Sequence, residues 1–429
     1  MEKKLTLMQL IWIGTGHVIG AGVVSITGNA LTMTGYSVWL AFAVACILSF
    51  IRILPVVFFT SSVVADGGRY GMITGCVSKK CGGLVTLSSM LNWSARGTAV
   101  LALRGYIADY LPDTDGKTLT LAVWAFFCLA NLYGVDMMSK IQGAATPLLL
   151  IALTVFSLVC MFNTQPGYLD FSSEYMFTNG AGGFFAAVVL LSYSCDGIAS
   201  LANYSTKAEN PRKTIPAAMV AVSVITTVIY IMVGYACGAV LPLEETAGAT
   251  LTVTARYILS PLFYNLFIFF GPIFALITTM NAGIPDSALP VMAGVKEGWL
   301  PSFMAKQNRH GAYYVAIAII FVIGALPTIM DFSVSQIAGI TMVLNALASI
   351  LMLVSSINFP FIFSKEWKES DYYLPLPAYM TIIFICAVIE LFVVIKALAE
   401  LTPSMVILNI ILLAVCGIYG TIVSKITKV

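Results

Sequence analysis

The segment Gly14-Thr15-Gly16-His17-Val18-Ile19-Gly20-Ala21-Gly22-Val23 sets four glycines and a histidine in the middle of an apolar run that extends from about residue 8 to residue 33. Each interior glycine costs roughly 1 kcal/mol of helix propensity relative to alanine, so a helix drawn through this run is weak where a plain anchor would carry leucine. In hydrocarbon, unpaired backbone is tolerated only where it lines a protein-enclosed or watery cavity. A break here predicts a cavity at mid-depth, with the amides of Ala21, Gly22 and Val23 opening a new half-helix whose positive dipole end suits a carboxylate. The same glycines also fit a second reading, close helix packing through small residues.

The surrounding chain has 429 residues, 59% hydrophobic and 10% charged, whereas soluble domains carry about a quarter charged residues. Such a chain belongs in a bilayer. Lys+Arg 22 against Asp+Glu 20 leaves +2, which excludes disorder and leaves no basic surplus for nucleic acid. Most of the nine cysteines fall in apolar runs, where they act as small hydrophobes. Cys76 and Cys81 flank a basic turn with no histidine nearby, so no disulfide framework, metal site or cofactor is expected.

A helix crosses about 30 Å of hydrocarbon in about 20 residues. Twelve apolar runs of that order are expected, at 8–33, 38–63, 84–110, 119–138, 143–162, 181–204, 214–241, 259–294, 312–330, 333–358, 374–397 and 402–424. The first run has no small-residue cleavage site and is read as retained. Placing both termini and the even-numbered connections on one side gathers Lys4, Arg69, Lys79, Lys80, Lys207, Arg212, Lys213, Lys306, Arg309, Lys365 and Lys425 there. The opposite loops collect Asp115, Asp170, Glu174, Glu244, Glu245 and Asp331. Cations accumulate in loops that stay in the cytoplasm, so a multi-pass protein of the cell membrane with both termini cytoplasmic is expected. The longest connection, 163–180, is too short to fold as a domain of its own.

The sixth run carries a matching interruption, Tyr193-Ser194-Cys195-Asp196-Gly197. Polar groups, an acid and a glycine together are costly in hydrocarbon and face a polar interior. Carbonyls freed there suit an ammonium group. Breaks in the first and sixth helices, five apart, are what two inverted five-helix repeats place at corresponding positions.

Four patterns lie along the chain, the first of them at the first break: Gly16 to Val23; Gly67-Gly68-Arg69-Tyr70; Glu209-Asn210-Pro211-Arg212-Lys213-Thr214-Ile215-Pro216-Ala217; and Glu297-Gly298-Trp299-Leu300-Pro301 with Ala305-Lys306-Gln307-Asn308. With these the chain resembles the amino acid, polyamine and organocation transporter superfamily. The resemblance implies one transmembrane domain over 1–429: repeat one at about 8–162, repeat two at about 181–358, and two added helices at 374–424. It also implies alternating access, with the substrate α-carboxylate at the amides of Ala21, Gly22 and Val23. The α-ammonium would meet carbonyls around Tyr193, Ser194 and Asp196, flanked by Cys195 and Gly197, with Tyr193 at an aromatic gate. Four positions depart from the pattern, one of them Tyr313, where relatives usually place a proline after the eighth-helix loop. Leu149 stands where proton-linked relatives keep a lysine, Ala199 where arginine or polyamine exchangers keep a glutamate, and Gly283 where some relatives place an aromatic.

The ionisable residues inside the runs need separate accounts. His17 sits beside the first break and can bind substrate or titrate. Asp196 either acts on an amine or proton or pairs with Arg96. Arg96 needs an acid or a substrate carboxylate close by, because a buried unpaired guanidinium is prohibitively costly; the internal pair with Asp196 is the preferred expectation. Asp286 is a second proton or cation candidate, and Thr278 and Thr279 are nominal sodium ligands. Arg52 and Glu390 are expected to snorkel toward an interface. The function expected is a secondary active transporter of an amino acid or small amine, working by exchange or proton symport. A membrane enzyme is the alternative, but the chain lacks a nucleophile motif or metal cluster to support one; a channel is the third reading.

Overall fold

A computed structural model describes residues 4–110, 114–332, 334–399 and 402–427; the side chain of Ala21 lies outside the described residues. The architecture is helical, with a single isolated bridge between Leu5 and Ala208 among the described residues. The helices of the first half are α1 (Leu7–Val18), α2 (Ala21–Thr34), α3 (Val38–Ser62), α4 (Arg69–Cys76), α5 (Cys81–Leu91), α6 (Arg96–Tyr110), α7 (Gly116–Asn131) and α8 (Gly134–Phe162). They are followed by α9 (Gly180–Ser192), α10 (Pro211–Ala239), α11 (Leu243–Thr246), α12 (Leu251–Ile258), α13 (Pro261–Ile268) and α14 (Phe274–Lys296). The last are α15 (Tyr314–Ile329), α16 (Val334–Ile362), α17 (Ser364–Lys368), α18 (Leu376–Ala399) and α19 (Pro403–Thr427).

Eight helical stretches among the described residues are long and apolar enough to cross a membrane: Ile26–Ser62, Gly134–Phe162, Gly180–Lys207, Pro211–Ala239, Pro261–Lys296, Leu344–Ile362, Leu376–Lys396 and Met405–Lys425. The other four expected runs fall on shorter pieces. Run 8–33 is divided into α1 and α2, and run 84–110 into α5 and α6 around a 3-10 turn at Asn92–Ala95. α7 and α15 have 16 residues each.

One expected boundary is corrected. The polar residues at 139–142 suggest a loop there, but the chain turns at Leu132 and Tyr133, and Gly134 takes the left-handed φ of 83° that opens α8. Ser139 and Gln142 are instead buried inside α8, and the Gln142 Oε1 accepts from Asn281 Nδ2 of α14 at 3.2 Å. The Gln142 amide faces a neighbouring helix, not water.

The centre of the molecule is α1. It packs against α10, α8 and α14, and α10 in turn runs along α3. Gly16 makes this approach possible: a Cβ there would sit 2.8 Å from Gln142 Nε2 and 3.1 Å from Thr278 Cβ. The packing reading of these glycines is therefore realised at Gly16, and the break lies just beyond it. At one end of the bundle Arg104 and Lys117 both bond Asp331, at 2.5 and 3.1 Å. These bonds hold the Asp331 carboxyl below the usual carboxylate range.

Candidate functional site

Both interruptions are present. α1 ends at Val18, Ile19 and Gly20 leave helical geometry, and α2 begins at Ala21 with no side-chain cap on its amides. In the second, α9 ends at Ser192, Tyr193–Cys195 form a 3-10 turn, Asp196 is extended, and Gly197 adopts a φ of 114° before a 3-10 segment over Ile198–Lys207. A single buried hydroxyl joins the two: Tyr230 of α10 donates to the carbonyls of Val18 at 3.0 Å and Ser194 at 2.8 Å. Carbonyls released by unwinding must find donors away from water, and the one hydroxyl proton of Tyr230 is shared between a carbonyl of each break. Tyr230→Phe keeps the ring, which packs on Phe42 with centroids 5.2 Å apart. It leaves two buried carbonyls without that donor, and is expected to cost about 1–3 kcal/mol, read as a lower melting temperature in detergent. An unchanged melting temperature would mean the breaks hold without this tie.

Beside the second break lies a cavity of about 430 Å³, which His17 reaches from α1 but which Ile19, Gly20, Gly22 and Val23 do not line, within the range of small-molecule sites. It takes Ser49 to Val56 from α3, Thr279 to Pro290 from α14 and Asn345 to Ser356 from α16, and it reaches Arg69 at the start of α4. Its charged lining is three arginines, Arg52, Arg69 and Arg96, and three carboxylates, Asp196, Asp286 and Glu390, with His17 among them. Arg52 holds two of the acids: Nε donates to Glu390 Oε2 at 2.7 Å and Nη1 to Asp196 Oδ1 at 3.2 Å. The Asp196 side chain is 54% accessible although it lies deep in the protein, because it faces the cavity. Asp286 accepts from Asn203 Nδ2 at 2.7 Å and lies 3.5 Å from His17 Nε2. His17 also packs edge-on against Gly197, whose Cβ position is 3.1 Å from the ring. One cluster thus ties α1, the second break and α14 together.

Two expectations for the charges are corrected. Asp196 pairs with Arg52, not with Arg96, and Arg96 has no ion-pair partner among the described residues. Arg52 and Glu390 do not snorkel outward: each is 14% exposed and they pair across the cavity wall. Two arginines enter the same space from different helices, and the one on α3 reaches the acid first.

Of the residues expected at the site, His17, Arg96, Tyr193, Asp196, Gly197 and Asp286 line the cavity. Others are packed beside it. Val23 is fully buried, a Cβ on Gly22 would lie 2.6 Å from Ser194 Oγ, and Cys195 Sγ is 3.5 Å from Cys46 Sγ. Gly283 lies beneath the Arg96 guanidinium. Thr278 donates into its own helix, to Phe274 O at 2.9 Å, whereas Thr279 Oγ1 is 3.5 Å from His17 O.

Two interrupted helices thus meet within the bundle, with a charged cavity beside the second of them. The amino acid permease family profile matches residues 5–416 of this chain. The chain belongs to the amino acid permease family. It is similar to the inner membrane transport protein YbaT of Escherichia coli, 23% identical over 76% of this chain and 78% of that protein. It is also similar to the branched-chain amino acid permease BcaP of Bacillus subtilis, 21% identical over 74% and 72%. A third relative, an uncharacterized protein of Methanocaldococcus jannaschii, is 24% identical over 75% and 76%. Membership supports membrane amino acid transport and a transporter in place of an enzyme. Sequence reasoning missed Arg52, Glu390 and Asn203 as site residues of this permease. A guanidinium and a carboxylate inside apolar runs were the available signal for the first two; Asn203 gave none.

Proposed function

We propose that this permease is a secondary active transporter of an amino acid or related amine, working by alternating access as an exchanger or proton symporter in the cell membrane. In this reading twelve spans form a five-plus-five inverted repeat over 8–162 and 181–358, with two added helices at 374–424 and both termini cytoplasmic. The substrate α-carboxylate engages the amides of Ala21, Gly22 and Val23. Its ammonium engages the second break around Tyr193, Ser194, Cys195, Asp196 and Gly197. His17, Asp196 and Asp286 are the proton or coupling groups.

The observation that carries this reading is the charged cavity beside the second break, which His17 of the first helix, Asp196 of the break and Asp286 of α14 all line. The uncapped start of α2 and the excess of carboxylate around Arg52 supply opposite charge preferences for a zwitterion. In liposomes, saturable counterflow of a labelled amino acid is expected; ohmic current or product formation would refute the carrier. Asp196→Asn is expected to abolish uptake while leaving the protein folded, and near-normal uptake would remove Asp196 from the substrate or proton path.

A further inference from the structure

The cavity's charges are unevenly satisfied. Asp196 and Glu390 share Arg52, and Asp286 has Asn203 and His17. Arg96 is different. It projects from the first turn of α6 into the cavity, no carboxylate lies within ion-pair distance of it among the described residues, and its buried Nε has no hydrogen-bond partner. The nearest acid whose field it feels is Asp286, which is already engaged.

The seat of this guanidinium is built. A Cβ on Gly283 would collide with Arg96 Nη1 and stand 3.3 Å from its Cδ, so the missing side chain of α14 is what admits the arginine. A guanidinium held away from bulk water costs free energy unless an anion meets it. Its planar fork matches a carboxylate with two parallel hydrogen bonds. With the α-carboxylate assigned to α2 and the α-ammonium to the second break, the group left for Arg96 is at the end of the substrate side chain.

We propose that Arg96, seated on Gly283, is a subsite for a second anionic group of the substrate, so that the permease selects amino acids with an acidic side chain. This rests on the amino acid transport reading above. A neutral side chain of the same length, as in glutamine, offers Arg96 no charge and leaves the guanidinium uncompensated when the cavity closes. A cationic one is repelled. A site built around a polar partner rejects analogues that lack it far more strongly than an apolar pocket rejects a missing methylene.

The test is counterflow into liposomes carrying the full chain, with L-glutamate, L-glutamine, L-leucine and L-lysine as separate labelled probes. Glutamate is expected to be taken up saturably, with glutamine at least about tenfold weaker. Arg96→Gln is expected to remove that preference by lowering glutamate uptake about tenfold or more while glutamine uptake persists. Gly283→Ala keeps every charge but fills the seat, and is expected to weaken glutamate selectively; it also decides the matter if Arg96→Gln does not fold. Uptake of leucine or lysine with glutamate no better than glutamine would overturn the anionic subsite and leave amino acid transport standing. Glutamate preference that survives in Arg96→Gln or Gly283→Ala would take the role away from Arg96. No uptake of any of the four by folded, reconstituted protein would overturn the subsite, and the transport reading falls with it when the remaining amino acids and their amines also give no counterflow.

Discussion

Replacing Arg52 with methionine is expected to lower the melting temperature of the detergent-solubilised permease by about 6 °C. The cause is desolvation. Removing one partner of a buried ion pair costs about 3 kcal/mol or more because the remaining charge is stranded. Here the loss sits mainly on Glu390, 14% exposed and bonded to Arg52 Nε at 2.7 Å. Asp196 contributes less, because its 54% accessible side chain retains cavity water. At roughly 2 °C per kcal/mol for a large domain, about 3 kcal/mol gives the stated shift. Arg52→Lys should fall between the two proteins. It keeps the charge, but one ammonium replaces two separate nitrogens that reach two acids. Adding Glu390→Gln to Arg52→Met should restore part of the loss, since the amide needs no counter-ion. An Arg52→Met protein as stable as the parent would show that water in the cavity, and not Arg52, solvates both carboxylates.

The two interruptions are legible in the chain because each concentrates residues that a spanning helix tolerates poorly, and both fall within a residue or two of Gly20 and Cys195. His17, Asp196 and Asp286 are legible for a related reason: an ionisable group in an apolar run must face something polar. Which group it faces is not written locally. Arg52 and Glu390 are separated by 338 positions, and each read alone resembles a side chain snorkelling from a helix. The error over Arg96 has the same origin, since spacing cannot say which arginine reaches Asp196 first. The turn at Leu132 and Tyr133 is obscured because Ser139 and Gln142 look like loop residues although both are buried, Gln142 against Asn281 of a neighbouring helix. Gly283 is legible only as a missing aromatic side chain; what fills the space, the guanidinium lying on it, is not.

Gly197→Val is expected to reduce uptake about tenfold or more, through two separable effects. The first is backbone strain. Gly197 has a φ of 114°, beyond the ordinary left-handed well, where a residue with a side chain pays of order 1–3 kcal/mol. That residue makes the turn from the extended Asp196 into the 3-10 segment at Ile198, so relaxing it moves the Asp196 carboxylate relative to Arg52. The second effect is contact. A Cβ lies 3.1 Å from His17 Cδ2 and 3.4 Å from Val18 Cγ2, and the branched valine pushes the imidazole from its 3.5 Å approach to Asp286. A double-mutant cycle separates them. Gly197→Ala carries most of the strain and little of the bulk. If displacement of His17 matters, the loss from Gly197→Val should shrink in a His17→Ala background, because mutations acting through one contact are not additive. Each tenfold change in uptake corresponds to about 1.4 kcal/mol in the limiting step, so one unit of strain of this size suffices. Uptake by Gly197→Val equal to that of the parent protein would mean that the second break can be rebuilt without glycine, and that neither the placement of Asp196 nor the approach of His17 to Asp286 limits transport.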